Sequence, residues 1–208
     1  MDTNYKVAYE HEWKVLKSRD LNEVAKRRVA IYDEEKNQIR LKFLNNDYIL
    51  DCNEETIVRE KDGFVHSAET SVIILNYLGY TEIDTEKSDK WISMKEIPNG
   101  GMQFFPAFYK NTVIHLINKY GYDLDGFEQS CLELGGVPCN VGDKGFEFEV
   151  FPKVSVRVGL WEGDDEIAPG VNVLFNKDVQ NFMHVEADIG MGMYIGKQIL
   201  KNEISGLL

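Results

Sequence analysis

Apolar side chains at Tyr5, Ala8, Tyr9, Trp13 and Leu16 fall close to one helical face, which predicts a helix from about Tyr5 to Leu16. Asp20 and Glu23 have the spacing of a capping box, and Leu21, Val24 and Ala25 begin a second, shorter helix. The period then drops to two. Ile39, Leu41 and Phe43 alternate with Arg40 and Lys42, Asn45-Asn46-Asp47 reads as a tight turn, and Tyr48, Leu50 and Cys52 alternate again. With Val29–Tyr32 ahead of Asp33–Asn37, this stretch predicts a three-strand antiparallel meander.

Ser67 is a suitable N-cap for a helix that carries Val72, Ile73, Leu75, Asn76 and Leu78 and stops at Gly79. Thr81–Lys90 is polar and acidic, the stretch best suited to a mobile loop. Trp91–Ile97 predicts a strand ended by Pro98-Asn99-Gly100-Gly101. Val113, Leu116, Ile117 and Tyr120 then define a helix closed by Gly121, and another is expected around Phe127–Leu134. Alternation returns at Phe146, Phe148 and Val150, again at Val154, Val156, Val158 and Leu160, and in Val171–Phe175, before a final helix over Ile189–Ile204. Runs of strands separated by runs of helices give the α+β order rather than βαβ alternation. The expected architecture is antiparallel sheet with helices packed on one side, in one domain over residues 1–208, with a weak subdivision near 80–100.

Composition narrows the function classes. A hydrophobic fraction of 43% and a charged fraction of 28% are those of a globular chain. Basic residues number 23 against 35 acidic ones, for a net charge of −12, which opposes nucleic acid or an anionic membrane as the main partner. The basic stretch from Lys14 to Arg28 fits the solvated faces of two helices better than a phosphate-binding strip. Cys52, Cys131 and Cys139 have neither metal-knuckle nor C-x-x-C spacing and suggest reduced thiols. A polar N-terminus and the lack of any apolar run near the roughly 18 residues of a membrane span lead us to expect a cytoplasmic protein.

Four carboxylates crowd into Trp161-Glu162-Gly163-Asp164-Asp165-Glu166, at the tip of an expected hairpin. Such a cluster could hold a hard cation through Glu162, Asp164, Asp165 and Glu166, although the calcium-loop spacing is missing. The plainer account is a solvated tip that blocks edge pairing, anchored by a core Trp161. His184, Glu186 and Asp188 would share one face of an extended segment and could ligate a transition metal. Asp188 equally suits the N-cap of the helix that follows. Phe104 and Phe105, after the Gly100-Gly101 turn, are either a pocket wall or plain core. The glycines of Gly190–Gly196 lack nucleotide-binding spacing, and no phosphate loop, nucleophile elbow or iron–sulfur cysteine motif is present.

The N-terminal meander, the helix ending in Asn76-Tyr77-Leu78, the Trp91–Gly101 segment, and Leu160–Glu166 ahead of Asn172-Val173-Leu174-Phe175 resemble an uncharacterised family of about this length. It is a domain family of unknown function from anaerobic bacteria, with some members fused to an iron–sulfur domain. The resemblance implies no assigned activity and tilts toward an accessory role in anaerobic metal or cofactor metabolism. Three readings follow: an accessory protein that binds a small ligand, metal or cofactor; a metal-assisted hydrolase; or a protein–protein interaction module. The expected partner is a small molecule or another protein, and the sequence fixes neither an oligomeric state nor a cofactor.

Overall fold

In the computed structural model, residues 3–201 are described. The chain opens on α1 (Thr3–Lys17) and α2 (Leu21–Arg28), whose N-cap Asp20 accepts the backbone N–H groups of Asn22 and Glu23. The alternating stretch that follows folds into four strands, β1 (Ile31–Asp33), β2 (Gln38–Phe43), β3 (Asn46–Asp51) and β4 (Thr56–Arg59), paired antiparallel in that order. The β2–β3 hairpin is tighter than expected. Phe43 pairs with Asn46, so the turn is Leu44-Asn45. Leu44 accepts a left-handed φ of 51° there while its amide donates to the Val150 carbonyl of the second sheet.

After α3 (Ala68–Gly79) the predicted strand over Trp91–Ile97 is cut short to β5 (Trp91–Ser93). The Glu96 carboxylate accepts both the backbone N–H and the hydroxyl of Ser93, which turns the chain into a 3₁₀ turn at Met94–Glu96. The stretch read as a glycine loop is helix α4 (Gly101–Phe108), and it runs through a widened turn at Tyr109–Val113 into α5 (Ile114–Tyr120). Gly101 is required at its start, because a Cβ there would collide with the Met94 carbonyl oxygen. Next come α6 (Leu124–Glu133), β6 (Val137–Pro138), β7 (Lys144–Phe151), β8 (Val154–Trp161), β9 (Gly170–Asn176) and α7 (Val185–Lys201). The second sheet runs β5-β9-β8-β7-β6, also antiparallel throughout. The α+β class is as the alternation predicts.

One buried apolar cluster runs through both sheets and the helices. Phe43 of β2 meets Phe151 of β7 with ring centroids 5.1 Å apart, which joins the two sheets, and Tyr77 of α3 stacks on the same Phe151 at 4.2 Å. The Thr81–Lys90 stretch has no regular structure, yet it is strapped down at many points. Lys153 donates to the Asp84 carboxylate (2.7 Å) and the Thr85 carbonyl (3.0 Å), Lys87 donates to Ser155 (2.9 Å), and Asp178 accepts the Ser88 amide. From beneath, buried Arg28 donates to the carbonyls of Tyr77 (2.8 Å), Thr81 (2.7 Å) and Ile83 (3.0 Å). Among the described residues, no helix is long and apolar enough to cross a membrane.

Candidate functional site

Helices α1, α3, α4 and the N-terminal half of α7 enclose a cleft of about 610 Å³, within the range of small-molecule sites. Its apolar wall comes from Ala8, Val72, Ile73, Phe104, Ile189 and Met193. Close approach of α3 to α7 along the floor depends on Gly190, where an added Cβ would lie 3.2 Å from the Ile73 side chain.

A polar group converges at one end of this wall. Glu12 sits on the apolar stripe of α1, and Asn76 interrupts the apolar run of α3, where it is only 5% exposed. The backbone N–H of His184 donates to Asn76 Oδ1 at 2.9 Å. An amide N–H has no acceptor role, so this bond fixes which way the Asn76 side chain is turned. Asn76 Nδ2 is thereby presented to Glu12 Oε1, at 3.3 Å. Burial raises the Glu12 carboxyl above its ordinary range, opposed by the Asn76 bond and by the fields of His11 and His184. The His184 ring stands edge-on to Tyr80 at 5.6 Å, and its Nδ1 takes the Glu186 amide at 3.4 Å.

The structure separates residues that the sequence suggested might gather. His184, not Asp188, is the N-cap of α7, since its carbonyl accepts the amides of Ala187 and Asp188. The segment is therefore helical and not extended, and positions 186 and 188 lie about 200° apart around the axis. His184 and Glu186 line the cleft, whereas Asp188 is fully buried on the stripe with Val185, Met191, Ile195 and Ile199. Among the described residues no group of three His, Cys, Asp or Glu side chains is placed to hold a metal ion.

The acidic loop lies elsewhere. Glu162 through Glu166 precede the first residue of β9, while the chain leaves the far end of that strand toward His184. Seven residues of strand, about 20 Å, separate the two segments, so they do not meet. Asp164 is occupied locally, accepting the amides of Glu166 (2.8 Å) and Ile167 (2.7 Å), and those bonds lower its pKa. Glu162 donates its amide to Asp143, and Gly163 donates to the Gly121 carbonyl. Trp161 is not the expected core anchor. It ends β8 opposite Gly170, with no side chain across from it, and is 39% exposed. Trp161→Ala is accordingly expected to cost only about 1–2 kcal/mol in urea denaturation, below the range for a buried Trp. A loss above that range would place its indole in a packing role that its exposure does not suggest.

Phe104 lines the cleft, whereas Phe105 faces away beneath Lys95, at 4.2 Å, and beside Tyr109. All three cysteines are free, and burial pushes the Cys52 thiol up to about 11. The residues that sequence reading passed over are Glu12, His11, Asn76 and Tyr80. A usable signal existed: Glu12 follows Tyr5 and Ala8 by seven and four residues, so a carboxylate occupies the apolar face of α1.

No curated protein matches this chain. No solved structure matches it either. A family model described as a domain of unknown function (DUF3786) matches residues 20–198. The matched region includes α3, α4 and all but the last turn of α7, and begins after α1, which supplies Glu12 and His11. With the match extending over most of its length, the chain belongs to the DUF3786 family.

Proposed function

We propose that the protein binds a small organic molecule in the cleft between α1, α3, α4 and α7. The observation that carries this reading is the convergence of an apolar wall on a half-buried carboxylate oriented by Asn76 and His184. Apolar enclosure supplies affinity and a few placed polar atoms supply orientation, the usual division of labour in ligand sites. Glu12 is desolvated without a lysine or arginine among the described lining residues, an arrangement that costs folding free energy unless a ligand uses it. The accessory place in anaerobic metabolism rests on the family resemblance alone and is compatible with a binding role. The acidic loop at Glu162–Glu166 has no part in this reading.

The test is a thermal-shift screen of small molecules against the parent protein and Ala8→Trp, which places an indole in the cleft. Compounds that raise the melting temperature of the parent should lose that effect in the variant. Hits that stabilise both proteins equally, or an absence of hits from a chemically broad set, would overturn the assignment.

A further inference from the structure

Resting on the cleft as the binding site, we infer that its ligand carries a protonated amine on an aromatic or aliphatic body, and that Glu12 is the counter-ion. Among the described residues, the ionisable groups of the lining are Glu12, Glu69, Glu186, His11 and His184, together with the phenols of Tyr5 and Tyr80. No lysine or arginine is among them. Cations are nevertheless close by, because Arg59, Lys197 and Lys201 line the neighbouring cleft on the far side of Glu69, Ile73 and Gly190. The two clefts thus divide the charges of one surface, and the acidic one is also the more apolar walled.

Within it the three carboxylates are not equivalent. Glu69 lies 3.7 Å from Lys197 and accepts the Tyr5 hydroxyl at 3.4 Å, so its charge is largely answered. Glu186 is exposed in the first turn of α7, where the backbone amides favour a negative charge. Glu12 has neither arrangement. Its Oε1 takes the long bond from Asn76, and among the described residues no hydrogen bond is made to Oε2. An ammonium group offers what this oxygen lacks, a charge-assisted hydrogen bond in a partly dry site. Tyr80, just past the end of α3, and Phe104 of α4 add aromatic rings to the lining, a surface suited to a cation. A carboxylate or phosphate ligand would meet repulsion from Glu12 and Glu186 that an ammonium group does not.

Three molecules that share one indole body and differ in charge serve as probes: tryptamine, tryptophol and indole-3-acetate. Titration calorimetry at neutral pH should show tryptamine binding about tenfold or more tightly than tryptophol, with indole-3-acetate weakest. Glu12→Gln should erase the difference between amine and alcohol, and Glu12→Asp should restore part of it. Unchanged far-UV circular dichroism and a cooperative melt no lower than the parent's would show that both variants fold. Equal binding of all three, a preference for the acid, or binding by none of them overturns the amine assignment. A preference for the alcohol or acid that disappears in Ala8→Trp overturns the amine while leaving the cleft in place. Binding of the probes that survives Ala8→Trp overturns the cleft and the amine together.

Discussion

Replacing Arg28 by alanine is expected to destabilise the protein by about 3–5 kcal/mol, because it strands three backbone carbonyls and opens a cavity beneath them. Arg28 is 1% exposed, and its guanidinium binds the carbonyls of Tyr77, Thr81 and Ile83 in separate directions. Its charge is further accommodated over the rings of Tyr77 at 5.7 Å and Phe182 at 5.5 Å. Lysine should rescue little of this, since one ammonium cannot reproduce a planar fork aimed at three acceptors. Both variants would show a melting temperature lowered by roughly 10 °C in calorimetry. Hydrogen exchange gives the sharper check, as amides in 81–90 should lose protection before those of β7 and β8 do. A variant that melts within a degree or two of the parent would mean the carbonyls find water without cost.

Asp188→Asn is expected to do the opposite and raise stability at neutral pH. Neither carboxylate oxygen of Asp188 has a hydrogen-bond partner among the described residues, and burial alone pushes its pKa well upward. The unfolded chain releases this proton near pH 3.9, while the folded protein retains it to higher pH. Ionisation of this group therefore carries no folding penalty below about pH 4, and the penalty grows as pH rises toward the folded pKa, at up to about 1.4 kcal/mol per pH unit. The amide has no proton to lose, so the variant should gain at least about 1.5 kcal/mol at pH 7 and nothing comparable at pH 4. Melting curves of both proteins from pH 4 to 8 decide the matter. A gap that stays constant across that range would show that Asp188 is not the source of the pH dependence.

Period and capping make most of the elements legible in the sequence. The stripe of α1, the alternation of β2, β3, β7, β8 and β9, and the Ser67–Gly79 bounds of α3 all follow from local chemistry that tertiary contacts reinforce. Failures came where a local signal was outweighed. Gly100-Gly101 and Pro106 argue for a loop, yet α4 forms because its apolar residues are needed against α7 and the Met94–Glu96 turn. The polar Thr81–Lys90 stretch looks mobile until Arg28 and Lys153, both distant in sequence, are seen to hold it. Asp188 looks like a cap because carboxylates usually are; its place on the core stripe is fixed by the start of α7 one residue after His184.

The candidate site was less visible for a different reason. Reading apolar positions as a stripe discards the polar residues that interrupt it, and those interruptions, Glu12 and Asn76, are what the cleft is built around. Carboxylate density drew attention instead to Glu162–Glu166, where solvent and local backbone amides account for the charges.

Helix α7 touches α3, α4, α5 and α6 and follows all four in the chain, so the element that covers them is synthesised after them. Until it emerges from the ribosome, the faces of those four helices stay uncovered, and the sheets alone cannot bury them. The nascent chain must therefore carry a long stretch of exposed apolar surface for seconds, at the usual pace of about 5–20 residues per second. That interval makes translation speed between α3 and α7 a determinant of how much native protein a cell obtains.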